Sequence, residues 1–320
     1  MAKLVNNLTD LIGDTPLLRP KAFIKREKII NVDLLLKLEY FNPLGSVKDR
    51  IAYAMIKDAE ERGVLNADSV IIEPSSGNTG IGLAFVAAAR GYRIIVVMPD
   101  TMSHERRGLV KALGAKLVLT RGVDGVNASI RKAEELKAQL PTGIILQQFN
   151  NPTNPRIHYV TTGPEIWRAT SGKVDILVCG VGTGGTISGT GGYLKAQKSS
   201  IQVVAVEPAL SPVLSGGTHS PHKIQGIGAG FIPAVMDMKI VDEVFTVKDE
   251  DAFDTVRVLA KTEGLLVGAS SGAAAFAAVR IALRPENVGK TILAILPDTG
   301  ERYLSTALFD YPQDEKNSSE

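Results

Sequence analysis

The feature that most constrains this chain is an alternation repeated along much of its length. Apolar runs of strand size, at 70–73, 93–98, 116–120, 144–147, 176–179 and 202–206, alternate with stretches of helical length. Those stretches include 79–90, 103–113, 123–139 and 154–170, with Ser103 placed to cap the second. A strand with one wet face alternates apolar and polar residues, whereas a run apolar throughout buries both faces. Such runs separated by helices predict a parallel sheet covered on both sides, built with right-handed crossovers. The expected fold is a three-layer α/β architecture. Two Asn-Pro steps between 148 and 155 mark a candidate hinge between two α/β parts. The irregular stretch 207–238, rich in Gly, Pro and Ser, is too long for a passive connection and reads as an active-site wall.

Composition excludes several classes of function. Of 320 residues, 22% are charged, and the net charge of +2 is dispersed. No basic block predicts a nucleic-acid or anionic-membrane partner. Glu105-Arg106-Arg107 reads as a solvated helix face. The single cysteine, Cys179, excludes a disulfide framework and a multi-cysteine zinc site, and it reads as a buried apolar residue. The four histidines show no metal-ligand spacing. The N-terminus lacks a secretory apolar core, and no apolar run reaches the ~18 residues that span a bilayer. A cytoplasmic protein is expected.

Four segments carry chemistry. The turn Asn42-Pro43-Leu44-Gly45-Ser46-Val47 delivers Lys48 to the start of a helix. There the helix dipole and burial lower an amine's pKa, as Schiff-base chemistry requires. Ser75-Ser76-Gly77-Asn78-Thr79 offers hydroxyls, an amide and N–H groups at a helix start, which suits a carboxylate or phosphate but equally a capped helix. Gly180-Val181-Gly182-Thr183-Gly184-Gly185 matches the dinucleotide fingerprint, and Glu207 stands where a ribose-binding acid would. A dinucleotide and a phosphate-bearing aldehyde therefore compete for this turn. Ser270-Ser271-Gly272 opens another helix, either as an N-cap or as a hydroxyl for a heteroaromatic ring nitrogen. One lysine and two anion-binding turns favour pyridoxal phosphate (PLP) held as a Schiff base.

Taken together, the segments resemble the cysteine synthase (O-acetylserine sulfhydrylase) and cystathionine β-synthase family of fold-type II PLP enzymes. The likeness rests on Ile12-Gly13-Asp14-Thr15-Pro16-Leu17, the Lys48 segment, Ser76-Gly77-Asn78-Thr79-Gly80, Glu105-Arg106-Arg107 and Gln147-Gln148-Phe149. It continues through Thr161-Thr162-Gly163-Pro164-Glu165, the Gly182 turn, Gln225-Gly226-Ile227-Gly228, Ser270-Ser271-Gly272 and Pro297-Asp298-Thr299-Gly300-Glu301-Arg302-Tyr303.

The resemblance implies a tryptophan synthase β-like fold with two subdomains. One is a smaller mobile unit over 47–152; the other is a larger phosphate-binding unit made of 1–46 plus 153–320. It implies that Lys48 carries PLP and acts as base, and that Gly182, Thr183, Gly184, Gly185 and Thr186 grip the phosphate. Asn78 meets the ring hydroxyl and Ser270 the pyridine nitrogen. Ser75, Ser76, Gly77, Thr79, Gln148 and Gly228 bind substrate, with the choice between Gln147 and Gln148 open. The implied reaction is β-replacement of O-acetyl-L-serine by sulfide, through an α-aminoacrylate, to give L-cysteine and acetate. Alternatives within the family use homocysteine, cyanide or O-phosphoserine, and a non-catalytic sensor is a further one. A homodimer is implied, with the serine acetyltransferase C-terminal tail as partner. Ser75 replaces the family's usual threonine, keeping the hydroxyl and losing a methyl.

Overall fold

The computed structural model describes residues 4–310 apart from Ser76. Among the described residues, the strands are β1 (Leu17–Leu18), β2 (Asp33–Leu38), β3 (Val70–Pro74), β4 (Arg93–Pro99), β5 (Lys116–Thr120), β6 (Gly143–Ile145), β7 (Ile176–Gly180), β8 (Gln202–Pro208), β9 (Glu243–Val247) and β10 (Thr291–Leu296). The helices are α1 (Lys21–Arg26), α2 (Lys48–Glu61), α3 (Asn78–Arg90), α4 (His104–Ala112), α5 (Gly125–Gln139), α6 (Thr153–Ile157), α7 (Gly163–Ala169), α8 (Gly185–Gln197), α9 (Asp249–Glu263) and α10 (Ala269–Ala282).

Two sheets result. One has the order β1-β2-β10-β7-β8-β9, parallel except for β1, and the other is the all-parallel β5-β4-β3-β6. Strand periodicity sends alternate residues to opposite faces, and in the central strands both faces are buried. In the larger sheet, Leu34, Leu36, Val178, Val204 and Ala294 enter one core. Leu35, Leu177, Cys179, Val203 and Leu293 enter the other. The smaller sheet divides likewise, with Ile71, Ile94 and Val96 on one side and Val70, Ile72, Ile95 and Val97 on the other. The three-layer α/β fold expected from the apolar runs is what forms. No described helix is long and apolar enough to cross a membrane.

Local chemistry explains the boundaries. Ser103 Oγ accepts from the Arg106 N–H, capping α4 as expected. The small residues of α3 permit two close approaches. A Cβ on Gly80 would lie 2.8 Å from Val96 in the sheet, and one on Gly82 would lie 3.0 Å from the Lys48 carbonyl of α2. The run 144–147 does not remain a strand, because Gln147 turns left-handed (φ 59°) and pairing ends at Ile145. The stretch 154–170 is not one helix. A π-helical turn at His158–Thr162 separates α6 from α7, and Pro164 sits in the first turn of α7.

The sheets meet around a buried ionic cluster. The Arg50 guanidinium donates to Glu39 (2.7 and 2.9 Å) and to both carboxylate oxygens of Glu165 (2.7 Å each). Lys37 Nζ donates to Glu165 (2.6 Å) and to the Thr15 carbonyl (2.7 Å). Two cations face two anions, so the cluster is neutral as a whole. Burial alone would raise the Glu39 carboxyl, but Arg50, Lys37 and the Thr15 hydroxyl bring it down to about 2.

Candidate active site

A cavity of about 410 Å³ opens where β3 and β7 end, between the two sheets. Ligands of open α/β sheets bind at such carboxyl edges of strands, and the volume suits a small cofactor with a small substrate.

Lys48, the first residue of α2, lines the cavity. Its turn is sewn in place by backbone bonds: Val47 N–H to the Pro297 carbonyl (2.8 Å) and Thr299 N–H to the Gly45 carbonyl (3.1 Å). Burial lowers the Lys48 pKa; Cys179, Asp298 and Glu39 oppose that. Burial also pushes the Cys179 thiol up to about 12, so it is neutral at pH 7 and lends Lys48 no charge. The opposing charge at neutral pH comes from Asp298 and Glu39. A desolvated amine is the form that adds to a carbonyl and later takes a proton.

Opposite stands the glycine turn between β7 and α8. Gly182, Thr183, Gly184 and Thr186 line the cavity. Gly184 holds a left-handed conformation (φ 80°) and caps the helix, a pose natural to glycine. A Cβ on Gly182 would lie 2.4 Å from the Gly226 carbonyl oxygen, so only glycine lets the backbone pass there. Gly185 lies in the turn but off the cavity wall, packed on Asn154. Thr186 Oγ1 lies 3.2 Å from His158 Nε2. Burial, aided by nearby Arg50, holds the His158 pKa down at about 3, so this imidazole is neutral. The start of a thirteen-residue helix, two threonine hydroxyls and a turn stripped of side chains form an anion cradle.

The third wall carries Ser75, Gly77, Asn78 and Thr79, with Gln148 beside them. Ser75 Oγ accepts from the Gly80 N–H (2.9 Å), closing the turn. Thr79 Oγ1 donates to Gln148 Oε1 (2.7 Å). Gln148 is therefore the inward residue, while Gln147 is exposed. Ser270, near the start of α10, and Gly228 (φ 69°) complete the cavity wall. Ser76 lies outside the described residues. The lysine, the anion cradle and the hydroxyl of Ser270 thus fit pyridoxal phosphate: an amine for the aldehyde, a helix start for the phosphate and a donor for the ring.

The comparisons agree with this chemistry. The profile of a family described as pyridoxal-phosphate-dependent enzymes matches residues 8–298. The chain belongs to this family. It is an enzyme that uses pyridoxal phosphate. Among relatives of this family, a cysteine synthase of Staphylococcus aureus is 50% identical over 311 residues, 97% of this chain and 98% of that protein. The crystal structure of a cysteine synthase from Entamoeba histolytica superposes with a TM-score of 0.93 at 44% identity, covering 96% of this chain and 91% of that one. An O-ureido-L-serine synthase superposes with a TM-score of 0.90 at 42% identity, covering 98% of this chain and 99% of that one.

Membership of the family removes the dinucleotide reading, and Glu207 shows why the fingerprint misled. Its carboxylate accepts from the Leu214 and Ser215 N–H groups (2.7 and 3.0 Å) and from Ser215 Oγ (2.6 Å), so it fastens a loop. Arg106 also departs from expectation. It is 2% exposed, stacks on the Tyr303 ring at 4.7 Å, donates to Gln225 and lines the cavity. The expected wall at 207–238 does face the cavity, through His222, Gln225 and Ala229 among others. Sequence reasoning missed Glu73. Its buried carboxylate accepts from the Leu146, Gln147 and Gln148 N–H groups (3.1, 3.2 and 3.3 Å) and so holds the loop that carries Gln148.

Proposed function

We propose that the chain is a cysteine synthase, converting O-acetyl-L-serine and sulfide into L-cysteine and acetate. The observation that carries this reading is the position of Lys48 between two differently built anion sites. One is the helix start at Gly182–Thr186, and the other is the hydroxyl-and-amide wall of Ser75, Thr79 and Gln148. A phosphate belongs on the first and an amino acid's carboxylate on the second. Gly77 extends the second site, and Gly185 supports the first.

When bound, the cofactor supplies an electron sink for the α-carbon of the amino acid. Lys48 would hold the cofactor's aldehyde carbon and would take the α-proton and later return one. Ser270 offers the ring nitrogen a neutral hydroxyl where a carboxylate would keep it protonated. That favours direct loss of a β-leaving group over amino transfer. Asn78 holds the ring hydroxyl, and Gly228 gives the substrate a wall without a side chain.

The two sheets support a division into a smaller unit over 47–152 that moves on a larger unit of 1–46 plus 153–320. The protein acts in the cytoplasm as a homodimer. Its carboxylate wall also accepts the C-terminal tail of a serine acetyltransferase, so a peptide ending in isoleucine is expected to compete with O-acetylserine.

The deciding experiment adds O-acetylserine to the holoenzyme without sulfide. The expected result is a change in visible absorption with one acetate released per site, then cysteine once sulfide is added. An unchanged spectrum and no acetate would overturn the choice of substrate.

A further inference from the structure

The segment after β10, Pro297-Asp298-Thr299-Gly300-Glu301-Arg302-Tyr303, fastens the Lys48 turn, and it also reaches Asn78 at the cofactor site. Asn78 Nδ2 donates to Asp298 Oδ2 at 2.7 Å, and Arg302 donates to Asn78 Oδ1. One amide is thus held at both ends by opposite charges. Turning the amide over would set its carbonyl against the carboxylate and its NH2 against the guanidinium. Both contacts would become repulsive, so the pair fixes which end of Asn78 faces where.

The pair is itself rigid. Asp298 is fully buried and Arg302 is 3% exposed. Asp298 Oδ2 also accepts from the Tyr303 hydroxyl at 2.6 Å. Its carbonyl accepts from the Gly268 N–H at 3.1 Å, and its backbone bridges to Ser46, two residues before Lys48. A Cβ on Gly268 would lie 2.2 Å from Asp298 Oδ1, so the close packing of this carboxylate depends on that glycine. Arg302 is anchored from the other side, where Ser103 Oγ donates to its carbonyl at 3.0 Å.

An amide nitrogen carries two hydrogens, and Asp298 takes one. We infer that Asp298 and Arg302 are positioning residues that aim the second Asn78 N–H at the ring oxygen of the cofactor. Asn78 then presents a donor there and never an acceptor, which favours the ionised form of that oxygen. The inference rests on the placement of Asn78 against the cofactor ring made above.

The test is a double-mutant cycle on protein stripped of cofactor and refilled with pyridoxal phosphate, read by cofactor affinity and by the absorption maximum of the bound cofactor. Asn78→Ala tests the placement of Asn78: it should weaken affinity about tenfold and move the maximum, as loss of a charge-assisted bond would. Asp298→Asn should move both readouts in the same direction but by less, because Arg302 alone then opposes the reversed amide. Asn78→Ala with Asp298→Asn should go no further than Asn78→Ala alone. Arg302→Gln, which leaves the carboxylate in place, should move both readouts in the same direction and serves if Asp298→Asn does not fold. If Asn78→Ala has no effect, the placement of Asn78 fails. If Asn78→Ala acts while Asp298→Asn or Arg302→Gln leaves affinity and absorption at wild-type values, the positioning role is overturned. Additive effects in the double variant overturn it equally.

Discussion

Thr79 Oγ1 donates to Gln148 Oε1 at 2.7 Å, joining two residues that lie 69 positions apart in sequence. Each side chain thereby fixes the other on one wall of the cavity. The hydroxyl spends its hydrogen on the amide oxygen, which leaves the Gln148 NH2 as a donor for a carboxylate. Thr79→Val removes the partner and keeps the shape. The expected outcome is a KM for O-acetylserine raised about tenfold, by the worth of one hydrogen bond to a charged group, with kcat changed less. Steady-state kinetics check this. An equal loss in kcat and kcat/KM would place Thr79 in the chemical step instead.

Glu73 lies behind that wall and gives a prediction in pH. Burial pushes its carboxyl up to about 7, while the N–H groups of Gln148, Gln147 and Leu146 pull it down. A carboxyl raised on folding binds more protons folded than unfolded. Its stabilising contribution is full below the unfolded value of 4.5 and is lost as the pH rises through about 7. Glu73→Gln does not titrate. Relative to the wild type, the variant should therefore gain stability between about pH 5 and about pH 8. It should also bind substrate more weakly, because one N–H of the Gln148 loop would face an NH2. Melting temperatures across pH test the first claim; a constant difference between the two proteins would refute it.

Lys48→Ala should abolish covalent capture of the cofactor and lower turnover at least about 10³-fold, since both nucleophile and base are lost. Circular dichroism should stay unchanged, because Lys48 stands at the first position of α2 and alanine keeps its backbone bond to Ser46. Turnover within tenfold of wild type would refute the assignment.

Glu165→Gln strikes the buried cluster and not the site. Arg50 and Lys37 would then share Glu39 as their only anion within the cluster. Breaking a buried pair from one side costs about 3–5 kcal/mol. Urea unfolding should show a loss of that order, and a loss under about 1 kcal/mol would mean the cluster is hydrated or relaxes freely.

Much of the fold was legible in the sequence from its unbroken apolar runs, although one such run, Thr291–Leu296, forms the central strand β10 and was not among the strands expected. Strands β3, β4, β7 and β8 stand close to where their apolar runs predict them, because a strand buried on both faces leaves little latitude in composition, and the half-exposed edge strand β5 also stands where expected. Strand β2 escaped because Lys37 interrupts it, and the cluster that makes a buried lysine tolerable is built from residues far along the chain. Strand β9 escaped because Glu243 and Thr246 give it the look of an edge, which it is. In the site, the turns at Ser75 and Gly182 were readable from local chemistry. The roles of Glu73, Arg106, Asp298 and Arg302 were not. A charge in sequence reads as solvated, and nothing local reveals that a distant amide or ring awaits it.

The arginine two residues after Lys48 has a consequence for how such an enzyme can change. Arg50 ties the first turn of α2 to Glu39 and Glu165, on the side of the six-stranded sheet, while Ser75 and Thr79 hang from the four-stranded one. In the proposed division, Arg50 is thus the point at which the unit 47–152 stays moored to the unit that carries the glycine turn. Substitutions at Ser75 or Thr79 leave that mooring intact, so specificity can drift while the lysine keeps its place.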